Sequence, residues 1–241
     1  YKNLFDQQTK LMRGKDSKGQ WRTPFNSFEL SHASTSGGDY TEGNAWQYTW
    51  HIQHDVPGLI DLMGSKDYFT AKLDSLFEMA SKKEGSGFVM DVTGLIGQYA
   101  HGNEPSHHVA YLYALAGKPW KTQKLVREIC LTQYQDKING LCGNDDCGQM
   151  SAWYIFTNLG FYPVNPCGGD YVLGAPQLPK ATISLQNGKT FIVEAVNFSK
   201  DNLYVQSVEL NGAPYSQSTI NHKDIVKGGT LKFVMGSQPV K

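Results

Sequence analysis

The stretch Gly102-Asn103-Glu104-Pro105-Ser106-His107-His108 runs directly into Val109-Ala110-Tyr111-Leu112, so a glycine-led loop carrying an amide and a carboxylate feeds a helical segment. Two further islands repeat the arrangement. Tyr40-Thr41-Glu42-Gly43-Asn44-Ala45-Trp46-Gln47-Tyr48 precedes one, and Gly143-Asn144-Asp145-Asp146-Cys147-Gly148-Gln149-Met150-Ser151-Ala152-Trp153 precedes another. Polar islands placed at helix starts gather at one end of a helical array. The unpaired N–H groups of those first turns help to order carboxylates or ligand oxygens.

Working outward, residues 55 to 159 read as successive helices. Pro57 suits a first turn, Leu59, Ile60, Leu62 and Met63 give the apolar face, and Gly64 stops the run. Ser65 caps the next helix, which carries Phe69, Leu73, Leu76, Phe77 and Met79 at three- and four-residue spacing. A glycine-rich loop over residues 85–102 crosses Asp91. Pro105 is then expected to open a helix with Val109, Leu112 and Leu115, ended by Gly117, and residues 122–134 and 149–159 give two more. Antiparallel helices joined by glycine-containing loops are what half of an α-toroid looks like, and a simple bundle gives the same pattern.

After Pro166 and Cys167 the period changes. Residues 181–185 and 190–196 alternate around Asn187-Gly188, a type I′ turn signal, and Asn211-Gly212 and Gly228-Gly229 mark further hairpins. The expected fold class is mainly α with a C-terminal antiparallel β-module, divided into residues 1–166 and 167–241. The opening residues read as the middle of a helix, so the chain is expected to be the later portion of a longer polypeptide.

At 241 residues, 40% of them hydrophobic and 18% charged, disorder is excluded and one large domain or slightly more is the expected size. Lys and Arg balance Asp and Glu at 22 each, which leaves no basic footprint for nucleic acid or an anionic membrane. No stretch reaches the roughly 18–20 apolar residues that span a bilayer. The four cysteines are too few for a disulfide scaffold and fit no zinc spacing. Cys142 and Cys147 flank Asp145-Asp146, a spacing that permits a local disulfide without establishing one.

Carboxylates beside glycines and aromatic rings equip a carbohydrate site. One carboxyl in a dry, aromatic-walled setting keeps its proton as an acid, a hydrogen-bonded one stays ionised as a base, and such a pair hydrolyses a glycosidic bond. Glycine leaves room for a sugar ring, and indole faces pack on its C–H surface. Trp46 is the expected sugar-facing wall; Trp50, Trp153 and Tyr154 are expected in the core. His107 and His108 point about 100° apart on a helix, so they do not share an ion; one is expected at the cleft.

The runs YTEGNAWQYTWHIQHDVPGLIDLMG, GNEPSHHVAYLYALAGKPWKTQ and GNDDCGQMSAWYIFTNLGFYPV resemble glycoside hydrolase family 92, the calcium-dependent exo-acting α-mannosidases. The resemblance covers nearly the whole chain, from Met12-Arg13-Gly14 to the β-rich end. It implies a β-sandwich followed by an (α/α)6 barrel in a larger two-domain enzyme, with this chain as the later part of the barrel plus the β-module. It also implies Glu42 as general acid and Asp146 as general base, with Asp145 as the alternative base or a support. Asn44, Trp46, His107 and Gln149 are the candidate sugar contacts. Ca2+ is the implied cofactor, with Asn103, Glu104 and Asp146 as oxygen ligands.

The implied reaction is inverting hydrolysis of terminal α-mannosidic linkages, with carboxyl groups about 6.5–9.5 Å apart. The implied partners are a mannose-containing oligosaccharide or glycoprotein glycan and the N-terminal portion of the same polypeptide. The setting is secreted or periplasmic, and the 241-residue piece alone is expected to be inactive. Rival readings are a glycan-binding fragment without catalysis and another α-toroid carbohydrate enzyme; mannose release by the full-length protein separates the first from hydrolysis.

Overall fold

Asp55 and Ser65 show how locally this chain is written. In the computed structural model, which describes residues 1–32, 38–81 and 92–241, the Asp55 carboxylate accepts the Gly58 amide at 2.9 Å and the Ser65 hydroxyl accepts the Tyr68 amide at 3.1 Å. Each side chain satisfies a first-turn N–H that the helix itself cannot. Gly64 ends the first of these helices at φ 103, a conformation costly for residues with a Cβ.

The chain divides into two compact units. One comprises Tyr1–His107 with Asp136–Asp145, the other His108–Gln135 with Asp146–Lys241. The first unit is built from short pieces. β1 (Phe5–Asp6) pairs antiparallel with β2 (Leu11–Met12), and β3 (Ser31–His32) with β4 (Glu42–Gly43). Then come α1 (Ala45–Tyr48), α2 (Val56–Met63) and α3 (Lys66–Glu78), followed by the hairpin of β5 (Leu95–Ile96) and β6 (Tyr99–Ala100). Leu59, Met63, Phe69, Leu73 and Leu76 are buried as their spacing predicts, and Trp50 packs edge-on against Phe69 at 5.3 Å. The chain opens with a 3-10 turn, Lys2–Leu4, and not mid-helix. Asp91 and the first part of the glycine-rich loop lie outside the described residues.

In the second unit the helix expected after Pro105 is broken. 3-10 turns at Glu104–Ser106, in the first unit, and Val109–Tyr111 precede α4 (Leu112–Leu115). Val109 through Ala114 are all buried, so the segment presents no polar face of helical period, and packing on every side sets its path. α5 (Pro119–Thr132) and α6 (Gln149–Asn158) follow; Trp153 is buried as expected, whereas Tyr154 is 38% exposed, on the outer face of α6.

Two sheets complete this unit. β7 (Phe161–Tyr162) pairs with β8 (Asp170–Leu173), and β9 (Lys180–Ser184), β10 (Thr190–Val196), β11 (Tyr204–Leu210) and β12 (Ala213–Pro214) precede β13 (Thr219–Asn221), α7 (His222–Val226) and β14 (Gly229–Gly236). The orders are β13-β8-β7 and β12-β11-β14-β10-β9. Phe161, Leu173 and Ile220 of the small sheet share one core with Phe191, Val193, Leu231, Phe233 and Met235 of the large one.

The antiparallel expectation holds at three junctions of the large sheet, but β10 and β14 run parallel, Phe191 facing Gly229 through Val196 facing Val234. Parallel neighbours need a long crossover, which β11 to α7 supplies. Gly228-Gly229 accordingly ends α7 and starts β14 instead of turning a hairpin. Asn211 and Gly212 both take positive φ, as a type I′ turn requires. At Asn187-Gly188 only the glycine does; Gly188 donates to the Leu185 carbonyl at 3.0 Å, closing a type I turn with a left-handed residue behind it.

Candidate active site

Glu42 sits on β4, half-buried, opposite His32 in register. Its backbone is held from the side by Tyr48, whose hydroxyl oxygen accepts the amides of Thr41 at 2.9 Å and Glu42 at 3.2 Å. Tyr48 is in turn braced by Tyr40 at 4.9 Å and His51 at 4.8 Å. Gly43 turns at φ 107, where an added Cβ would strike the Gln47 side chain.

That turn delivers Asn44 to the start of α1. Asn44 is wholly buried; its carboxamide oxygen accepts the amides of Trp46 and Gln47 at 3.0 and 3.3 Å, and its NH2 donates to Gln98 at 3.0 Å. Gln47 closes the capping box on the Asn44 amide at 2.9 Å and donates to the Gln98 carbonyl at 2.9 Å. These bonds make Asn44 a scaffold for the residue beside Glu42. Trp46 has its indole occupied within the unit: the Lys72 ammonium lies 4.2 Å from the ring centre and Phe28 stacks at 6.2 Å.

The second island is buried around its histidines. His101, His107 and His108 are 0%, 1% and 3% exposed, so neither member of the adjacent pair stands open at the surface of the chain. His101 and His107 stack at 4.9 Å, and Tyr99 brings its hydroxyl to 2.7 Å from His101 Nδ1. The His101 carbonyl can only accept, so His107 Nε2 carries the proton of their 2.9 Å bond. Burial pulls the His107 pKa down to about 4 against the raising effect of that bond, and burial with the neighbouring His107 carries His101 well below the usual value. Both rings are neutral near pH 7. Between them in sequence lie Asn103 and Glu104. Asn103 is 5% exposed and begins a 3-10 turn without capping it, and among the described residues its carboxamide takes no hydrogen bond.

Within the first unit the second and third islands meet at their leading glycines. A Cβ on Gly143 would lie 2.6 Å from the Gly102 carbonyl oxygen and 2.7 Å from its Cα. Real Cβ atoms do not tolerate such distances, so only glycine permits the loops to touch.

In the third island the backbone departs from the ordinary. Asp146, Cys147 and Gly148 take φ 44, 60 and 89 in succession, ahead of α6. Left-handed conformation costs roughly 1–2 kcal/mol for each residue with a Cβ. Such strain is held in place where a side chain must be aimed. Gln149 follows, donating to the Tyr162 hydroxyl at 3.1 Å, and Tyr162 stacks on Tyr111 at 5.2 Å. Of the predicted residues, Glu42, Asn44, Trp46, Asn103, Glu104, His107 and Asp145 belong to the first unit, Asp146 and Gln149 to the second. Cys130, Cys142, Cys147 and Cys167 are unbridged.

Residues 1–237 match the family model for the Glycosyl hydrolase family 92 catalytic domain. The chain belongs to glycoside hydrolase family 92. It is similar over its whole length, at 46% identity and a TM-score of 0.92, to a family GH92 α-mannosidase of Bacteroides thetaiotaomicron solved with mannoimidazole, of which it covers 32%. A family GH92 inverting mannosidase of the same organism matches 99% of the chain at 37% identity and a TM-score of 0.84, with 33% of that enzyme covered. An uncharacterized secreted glycosidase of Arthroderma benhamiae is 30% identical over 200 residues, which are 82% of this chain and 24% of that protein. The chain thus spans about a third or less of the length of these relatives.

Tyr48 and Gln98 were not among the predicted site residues. The Asn44-x-x-Gln47 spacing is itself a capping-box signature, and it was the available signal that Asn44 caps α1. Nothing local to Tyr48 marks its hydroxyl as the clamp on Glu42.

Proposed function

We propose that the polypeptide carrying this chain is an exo-acting α-mannosidase that hydrolyses terminal α-mannosidic linkages of oligosaccharides or glycoprotein glycans with inversion. The observation that carries the reading is the likeness over the whole of this chain, at 46% identity, to 32% of a family GH92 α-mannosidase solved with mannoimidazole. The helices are read as part of an (α/α)6 barrel preceded by a β-sandwich. The secreted fungal relative supports a secreted or periplasmic setting, and among the described residues no helix is long and apolar enough to cross a membrane.

In this reading Glu42 donates its proton to the leaving glycosidic oxygen, and Asp146 takes a proton from the water that attacks the anomeric carbon. The water's oxygen forms the new bond as the aglycone leaves with the Glu42 proton, and the configuration inverts. The Tyr48 clamp and the Asn44 cap give Glu42 a fixed backbone. The left-handed run at Asp146 gives the base a fixed launch point, and Asp145 supports it or takes its place. The candidate sugar contacts are Asn44, Trp46, His107 and Gln149.

Among the described residues no three His, Cys, Asp or Glu side chains gather as a metal cluster. The donor chemistry nevertheless fits calcium: Asn103 offers an amide oxygen that takes no hydrogen bond among the described residues, and Glu104 and Asp146 offer carboxylates, all hard donors. A bound Ca2+ would supply a hard Lewis acid for sugar hydroxyls.

The test is stereochemical. Proton NMR of aryl α-mannoside hydrolysis by the full polypeptide should show β-mannose first, with the α-anomer growing in by mutarotation. Initial α-mannose would sink the inverting mechanism, and no release of mannose by the full polypeptide would sink the mannosidase reading.

A further inference from the structure

Thr93 lies two residues before β5, and its carbonyl accepts the Gly102 amide at 3.1 Å. Its hydroxyl oxygen is shielded from solvent and has no hydrogen-bond partner. The surroundings of that oxygen are specific. A Cβ added at Gly102 would strike Thr93 Oγ1, and one added at Gly143 would come within 3.0 Å of it. The orphaned oxygen therefore sits where the leading glycines of the second and third islands touch.

A buried hydroxyl without a partner costs about 1–3 kcal/mol, and valine has the same shape without that penalty. The next residue after Gly102 is Asn103, which is 5% exposed and whose carboxamide takes no hydrogen bond among the described residues. A shielded neutral hydroxyl oxygen, at the loop that leads into an amide with no protein hydrogen bond, is a hard donor of the kind an incoming cation takes up. We propose that Thr93 is a further oxygen donor to the cation held by Asn103 and Glu104, in direct contact or through one bound water. This rests on the calcium reading above.

Calorimetric titration of Ca2+ into the metal-stripped full polypeptide tests it without reference to turnover. Thr93→Val should weaken Ca2+ binding about 10- to 100-fold, the range found when groups supporting a metal site are removed. Thr93→Ala should weaken it similarly, and Thr93→Ser, which keeps the hydroxyl, should stay within about threefold of wild type. The stripped Thr93→Val protein should melt no lower than the stripped wild type, since it loses an unsatisfied group. Wild-type affinity in both Thr93→Val and Thr93→Ala would overturn the proposal and leave calcium with its other ligands. A wild-type protein that takes up no Ca2+ would overturn the cation reading itself, and the proposal with it.

Discussion

The C-terminal sheet and the loop-rich unit that carries Glu42 fill their interiors in opposite ways. In β10, and in β14 from Thr230 on, buried and less buried residues alternate, and the inward set is Phe191, Val193 and Ala195 against Leu231, Phe233 and Met235. Among the described residues no buried polar side chain lies beyond Asn158. The loop-rich unit has strands of two residues each and buries Asn44, Gln47, Gln98, His101, Asn103 and His107. Apolar burial is strong and indifferent to direction, so it suits a support. Hydrogen bonds among buried amides and imidazoles add little net stability but fix orientation, which is what an acid and its neighbours require.

Paired truncations should separate the two roles. Phe233→Ala removes a fully buried ring from the apolar core and should cost about 3–5 kcal/mol in denaturant unfolding, while kcat of the molecules that remain folded stays within twofold. Asn44→Ala removes a cap and the Gln98 bond, at about 1–2 kcal/mol. It should nevertheless lower kcat at least tenfold, because the backbone beside Glu42 loses its anchor. If Phe233→Ala damages kcat more than Asn44→Ala does, the division between support and site is wrong.

Acid should break the comparison at a chosen place. Burial holds the His51 pKa at about 4, below the roughly 6.5 of an unfolded imidazole. Its native state resists protonation, so the stability it contributes is complete above pH 6.5 and is lost as pH falls toward 4. The loss is on the order of 3 kcal/mol. Hydrogen exchange should show the segments around His51 opening between pH 6.5 and 4 while β10 and β14 stay protected, and His51→Gln should flatten that dependence. Uniform loosening of both regions would contradict the distinction.

What could be read from the sequence follows the same division. Asp55, Ser65 and Gly64 act within four residues of themselves, so caps and stops were legible. So was the alternation of residues 190–196. The parallel pairing of β10 with β14 depends on a crossover of more than thirty residues, and no local signal announces it. The Pro105 segment misled because it is apolar on every side, which erases the period that a helix reading needs. At the site, the island residues were legible as a set of types. The contact of Gly102 with Gly143, the Tyr48 hydroxyl on the Glu42 amide and the orphaned Thr93 oxygen were not, since each joins residues whose proximity only the fold creates.

The central claim is that Glu42 is the acid and Asp146 the base of one hydrolytic reaction, and leaving-group dependence tests it most directly. In the full polypeptide, Glu42→Gln and Asp146→Asn should each lower kcat on an unactivated mannobiose by about 10²–10⁴-fold, without a change in melting temperature. On a dinitrophenyl α-mannoside, whose departure needs no proton, Glu42→Gln should recover most of the lost rate and Asp146→Asn should not. Equal recovery in both variants, or recovery only in Asp146→Asn, would contradict the assignment.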